Sequence, residues 1–223
     1  MKRSMLMLAA IGLLWNGAGY LRAGTMFTSD GSGTPRTGFS GTIGVEFKVG
    51  GTMLTVTDLG VWNASNPGGS QNGLISNHEI AIWNATTNVK VAGSDVTLLA
   101  GTGTLIGNFR YYHLSTPITL AANTQYILGA YYSATGDAFR DQSNTAGVDT
   151  ANVLNQFAEY NGPSLTFAEP NVVQSAQQEY IGPNMIYTVG AISTAPEPST
   201  LTLLGILGLT GYGWTRRRAI LPS

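Results

Sequence analysis

Residues 42–50 read TIGVEFKVG, and this stretch decides the fold class. Ile43, Val45, Phe47 and Val49 fall on one face of an extended chain, and Gly44, Glu46 and Lys48 fall on the other. A period of two is that of a β-strand, whose successive side chains point to opposite sides. The same reading extends outward. MLTVTDLGVW (53–62) is rich in β-branched residues and follows a Gly50-Gly51 turn, and NPGGSQNG is a loop by its Gly, Pro and Asn content. HEIAIWN (78–84) places Ile80 and Ile82 on one face, and SDVTLLA and NFRYYHLS continue the series. Pro117 interrupts, and ITLAANTQYILGAYYS then reads as a short strand, a turn at 121–124 and a longer strand. The polar stretch 134–152 reads as irregular, with 134–180 available to cover sheet edges, and MIYTVGA (185–191) closes the series.

Outside the two ends no segment has a helical period of useful length. Short strands separated by turns at short intervals imply an all-β protein. The expected architecture is an antiparallel two-sheet β-sandwich, jelly-roll-like, flanked by an N-terminal signal helix and a C-terminal transmembrane helix. A chain of 223 residues is long enough for one sizeable core without disulfides, and it has no Cys. This excludes thiolate chemistry and Cys-ligated metals.

The ends carry an address. MKRSMLMLAAIGLLWNGAGYLRAG opens with Lys2 and Arg3, continues with an apolar stretch from Met5 to Trp15, and reaches small residues at 17–19. That order is a secretory signal peptide, with Gly17-Ala18-Gly19 and Leu21-Arg22-Ala23 both offering a cleavage site. At the other end, Leu201 to Trp214 is uncharged, and as a helix would span roughly 21 Å. Glycines at 205, 208 and 211 make it a poor helix in water, whereas lipid enforces internal hydrogen bonding. Arg216, Arg217 and Arg218 hold its end on the cytoplasmic side. Pro196-Glu197-Pro198 fixes an extended backbone just ahead, the shape that proteases and transpeptidases read.

The three parts in this order resemble the PEP-CTERM sorting signal of Gram-negative bacteria, over residues 195–218. The resemblance implies an exosortase-type membrane protease as partner and export alongside exopolysaccharide. It places the protein on the outer surface or in the extracellular matrix of a Gram-negative bacterium. The body is similar to a family of bacterial extracellular domains of undefined function. The likeness rests on Leu59-Gly60-Val61, on residues 77–84 (NHEIAIWN), and on residues 120–126 (LAANTQY). It implies a β-sandwich like those of carbohydrate-binding modules and supplies no catalytic residues. The expected organisation is a signal peptide at 1–23, a linker at 24–37, a sandwich at 38–192 and a sorting signal at 193–223. Within the last lie the motif 196–198, the apolar helix 201–214 and the basic cluster 216–218.

Charge narrows the partners. The precursor has 11 basic and 12 acidic residues, a net −1. A mature chain from Gly24 to Ala195 keeps 5 basic and 11 acidic residues, about −6. An acidic, evenly spread surface argues against nucleic acid. No H-x-x-x-H or G-x-S-x-G pattern is present, so no catalytic residue and no cofactor is assigned. His78 is expected as a hydrogen-bonded residue at a strand mouth, and His113 within an aromatic cluster. Asp137 and Asp141 lie in an oxygen-rich loop, weak metal candidates whose spacing fails the EF-hand pattern. That loop is expected on the surface, apart from His78. Trp62, Trp83, Tyr131 and Tyr132 are the candidates for stacking on sugar rings. The function read from the sequence is a non-catalytic surface or matrix module that contacts exopolysaccharide. The alternative is a secreted carbohydrate-active enzyme, a glycan hydrolase or lyase.

Overall fold

The computed structural model describes residues 23–29, 34–63, 73–133, 136–142, 147–174 and 179–190. The expected signal helix, the transmembrane helix and the whole sorting signal lie outside the described residues, which contain strands and turns but no α-helix. Fifteen strands succeed one another among the described residues: β1 (Ala23–Thr25), β2 (Thr34–Arg36), β3 (Gly41–Val49), β4 (Leu54–Trp62), β5 (His78–Asn84), β6 (Val89–Lys90), β7 (Val96–Leu98), β8 (Thr104–Ile106), β9 (Phe109–Leu120), β10 (Gln125–Tyr132), β11 (Phe139–Gln142), β12 (Val153–Asn161), β13 (Val172–Val173), β14 (Glu179–Ile181) and β15 (Pro183–Val189). One sheet has the order β1-β15-β4-β9-β8. A second runs β13-β12-β3-β10-β5-β6, with β7 also on β5. A small third sheet is β14-β11-β2. The strand pairings are antiparallel throughout.

The two large sheets bury their inner faces in one core. Ile43, Val45, Phe47 and Val49 enter it from β3, as the alternation predicts, with Ile80 and Ile82 from β5 and Leu128 from β10. Leu54, Val56, Leu59 and Val61 enter it from β4, with Met185 and Tyr187 from β15. The β4 residues switch from even to odd numbers because Thr57 is bulged: the register with both β9 and β15 shifts there. A bulge adds one residue and reverses the phase of the rest of the strand. Pro117 does not end a strand. It sits in the β9 half of the same irregularity, between Ile118, paired with Val56, and His113, paired with Asp58. A bulge is where a residue without N–H can join a strand.

Two expectations need correction. Residues 24–37 are not a linker. They supply β1 on the edge of β15 and β2 on β11, and Met26 and Phe27 are buried in the core. Asn184 accepts from Phe27 N–H (3.0 Å) and donates to Phe27 O (3.0 Å) and to the Tyr111 hydroxyl (2.9 Å), pinning this segment. The stretch 134–180 is not an irregular cover. It carries β11 to β14, and β12 pairs with β3 along seven register positions. The β12 pattern is hard to read because its register shifts between Leu154 and Phe157, where Asn155 has φ 50°.

The outer face of the β3–β10 pair is also covered. Gly44 and Gly129 are direct cross-strand partners. Their bare backbones form a floor on which Pro170 rests: an added Cβ would meet the Pro170 ring at 2.8 Å from Gly44 and 3.1 Å from Gly129. The covering segment, 162–170, is held by Ser164 N–H to Ser40 O (2.9 Å) and Ala168 N–H to Thr42 Oγ1 (3.2 Å). Gly44→Ala must push against both Pro170 and the Leu128 carbonyl, 2.7 Å away. We expect it to destabilise the body by roughly 1–3 kcal/mol, read from the midpoint of urea unfolding. An unchanged midpoint would show that Pro170 does not seat on this floor.

Candidate functional site

His78 opens β5 and points inward, fully buried, in phase with Ile80 and Ile82. Its Nδ1 lies 2.8 Å from Tyr131 O and its Nε2 3.1 Å from Asp137 Oδ2. Both ring nitrogens thus face oxygen atoms, one of a backbone carbonyl and one of a carboxylate. Asp137 also accepts from Ile75 N–H (3.1 Å), Ser76 N–H (3.0 Å) and the Ser76 hydroxyl (2.9 Å). Burial alone would raise its carboxyl pKa. The hydrogen bonds from His78, Ile75 and Ser76 outweigh burial and hold it below the ordinary range. The expectation that His78 and the Asp137 loop stay apart is therefore corrected: they form one polar clasp between two loops. Ser76 Oγ donates to Asp137 rather than to the His78 ring. Asp141 does not join them; it pairs with Arg36 at 2.7 Å. His113 is exposed and pairs with Asp58 across β4 and β9 at 2.9 Å, outside any aromatic cluster. Among the described residues no three His, Asp or Glu side chains gather closely enough to hold a metal ion.

A second acidic group lies under the 162–170 cover. Glu159 of β12 is buried. Its pKa is pushed up to about 8, first by burial, then by the hydrogen bond to Glu46 and the charges of Glu46 and Glu169. Burial raises the Glu169 carboxyl as well. Two carboxyls sharing a hydrogen bond cannot both ionise. Sequence reasoning put Glu46 on the outer face but could not find Glu159, whose strand is broken by the bulge.

The proposed sugar platforms are corrected too. Trp62 and Tyr132 are buried in the main core. Trp83 does face away from Ile80 and Ile82, yet it is buried under Phe167, whose ring centroid is 5.3 Å away. Lys90 Nζ caps this pair, 4.6 Å from the Phe167 ring. Tyr131 is half-buried, and its hydroxyl donates to Ser164 O at 3.3 Å. Alternation tells which face a residue takes; it does not tell that a distant loop covers that face.

Cavities bounded by described residues include two that matter for binding. One, of about 230 Å³, is lined by Arg36, Phe39, Phe139, Tyr160, Gln174 and Tyr180, with Ile43 beneath. Its rings meet edge to face, Phe39–Phe139 at 5.7 Å and Phe139–Tyr180 at 5.5 Å, and Arg36 lies 5.5 Å over Phe139. The other, of about 570 Å³, lies between the first described residues and the 148–152 turn. At its wall Asp149 accepts from the Tyr187 hydroxyl (2.7 Å) and Asn152 Nδ2 (2.8 Å). Burial would raise the Asp149 carboxyl; those bonds and two backbone N–H groups win and lower it. The same contact raises the Tyr187 hydroxyl, after burial.

Neither cavity by itself names an activity. Comparison with protein families does supply an address: the model of the PEP-CTERM protein-sorting motif matches residues 194–218. The chain carries a PEP-CTERM sorting signal. The match includes Pro196, Glu197 and Pro198, the apolar run, and Arg216, Arg217 and Arg218. No curated protein matches the chain. The PEP-CTERM signal marks an exported protein that an exosortase sorts, associated with the cell envelope.

The Glu159 carboxyl gives a stability test on the body of this PEP-CTERM protein. Its pKa is about 8 folded, against an ordinary 4.5. Between these values the folded chain holds a proton that the unfolded chain has released. Its contribution to stability therefore falls as pH rises from 4.5 to 8 and is level above that. Glu159→Gln, neutral throughout, removes this slope. The variant should gain roughly 1–3 kcal/mol on the parent between about pH 5 and 8, measured by urea unfolding at each pH. A constant difference across that range would mean that Glu159 is ionised in the folded body.

Proposed function

We propose that the exported body is a non-catalytic β-sandwich module of the cell surface or extracellular matrix, and that it contacts exopolysaccharide. Two sheets over one core support a scaffold that presents a surface. The observation that carries the glycan contact is the 230 Å³ cavity. Aromatic rings offer flat apolar faces to sugar rings, and Arg36, Gln174 and the tyrosine hydroxyls offer hydrogen bonds to sugar hydroxyls and carboxylates. The glycan reading thus moves from Trp62, Trp83, Tyr131 and Tyr132 to the half-buried Phe39 and Tyr160 and to the exposed Arg36.

In this reading the apolar run 201–214 is a membrane helix until an exosortase acts near Pro196-Glu197-Pro198. Arg216, Arg217 and Arg218 hold it in register with that enzyme. Deleting 196–223 should release the body into the medium, where the full chain fractionates with the envelope. Identical fractionation of the two forms would overturn the sorting role. For the glycan contact, the exported protein is passed over immobilised acidic and neutral polysaccharides. Retention on at least one, weakened roughly tenfold by Arg36→Ala or Tyr160→Ala, is expected, the equivalent of about 1.4 kcal/mol. Absence of retention on every polysaccharide would leave a purely structural role.

A further inference from the structure

The 570 Å³ cavity has one charged side chain in its lining among the described residues, Asp149. A lowered carboxyl at a cavity wall is prepared for a cation, and the question is which cation reaches it. The lining also includes Ala23, Gly24 and Thr25, the whole of β1. The place a Cβ would take on Gly24 is 3.3 Å from Asp149 Oδ2 and 3.2 Å from the Tyr187 ring. The Gly24 backbone is therefore within one carbon–carbon bond more of the carboxylate.

The ladder distinguishes Gly24 from Ala23. Ala23 pairs with Thr188, Gly24 with Tyr187 and Thr25 with Ile186. Two residues on, Met26 N–H donates to Met185 O at 3.2 Å. Hydrogen-bonded and non-hydrogen-bonded pairs alternate along an antiparallel ladder. Gly24–Tyr187 is thus a hydrogen-bonded pair, and Ala23–Thr188 is not. Ala23 is exposed and contributes no ladder bond to β15. From Gly24 onward the chain is held on both sides: Asp149 N–H donates to Met26 O (3.1 Å) and Thr28 N–H to Gly147 O (2.7 Å).

We propose that signal peptidase cuts between Ala23 and Gly24, and that the new Gly24 ammonium is bound by Asp149 in this cavity. The proposal rests on the reading of residues 1–23 as a leader. Hydrolysis adds water across one amide: the hydroxyl goes to the Ala23 carbonyl carbon, the C–N bond breaks, and Gly24 keeps an amine that takes up a proton at neutral pH. Of its three N–H groups, one keeps the ladder bond to Tyr187 O, and rotation about the N–Cα bond lets the others turn toward the carboxylate beside Gly24 Cα. Of the two cleavage sites offered by the sequence, the cut after Ala23 removes no strand bond. The cut after Gly19 would put the amine four residues upstream of Gly24. Removal of the leader thereby completes the site: an amide N–H, uncharged before the cut, becomes the counter-charge of a preset carboxylate.

The test uses the full precursor, expressed with its leader in a Gram-negative host, and the protein recovered outside the cytoplasm. N-terminal sequencing should begin at Gly24. The α-amine, labelled by ¹³C reductive methylation and followed by NMR, should titrate roughly one pK unit above an ordinary α-amine at about 7.7–8.0, and Asp149→Asn should remove the shift. The parent titration decides the point even if that variant is not recovered. A chain that begins at Tyr20 overturns the cut. A chain that begins at Gly24 with an ordinary amine overturns the capture by Asp149. Retention inside the cell with the leader intact overturns the leader reading, and this one with it.

Discussion

The pairing of Gly44 with Gly129 at the centre of the larger sheet is the constraint on which the body depends. Two residues without side chains, opposite each other on β3 and β10, let a backbone segment lie flat on the sheet. Pro170 occupies that floor, Phe167 closes over Trp83, and Thr42 Oγ1 accepts the Ala168 N–H. The consequence is a central strand buried on both faces. The inner face is apolar, as its alternation requires. The outer face is mixed, and its polar members must be satisfied by the cover or change their charge state.

Glu159 shows what that costs. It lies at the margin of the covered region, beside Glu46 and Glu169, and holds its proton at neutral pH. The His78–Asp137 clasp is the opposite solution to burial. There the carboxylate stays ionised because three donors besides the His78 ring converge on it. The clasp ties the Asp137 loop to the start of β5. The aromatic cavity near Arg36 and the cavity near Asp149 stand open instead.

The N-terminal segment belongs to the same account. In this fold the first described residues are structural: Met26 and Phe27 are in the core and Asn184 reads the Phe27 backbone. The β1 strand lies on the sheet edge, where unpaired backbone groups are a liability. A short strand ending in a charged group is one way to close such an edge.

The sequence by itself determined the strands whose alternation is unbroken, the inner face they bury, and the sorting signal at the C-terminal end. Those features are local. Period-two spacing needs only neighbours, and a Pro-Glu-Pro signal is read as a linear segment before or apart from folding. The tertiary structure alone decided everything that needs two distant segments or a broken period. Thr57 and Asn155 introduce bulges that hid the phase of β4 and the existence of β12. His78 meets Asp137 across 59 positions, and Gly24 lies against Asp149 from more than a hundred positions away. Trp83 has the alternation of an outward residue and the burial of an inward one, because Phe167 arrives from a loop that no local pattern connects to it. Side-chain direction is set by the backbone of the strand itself; whether water or another part of the chain waits there is set by the topology.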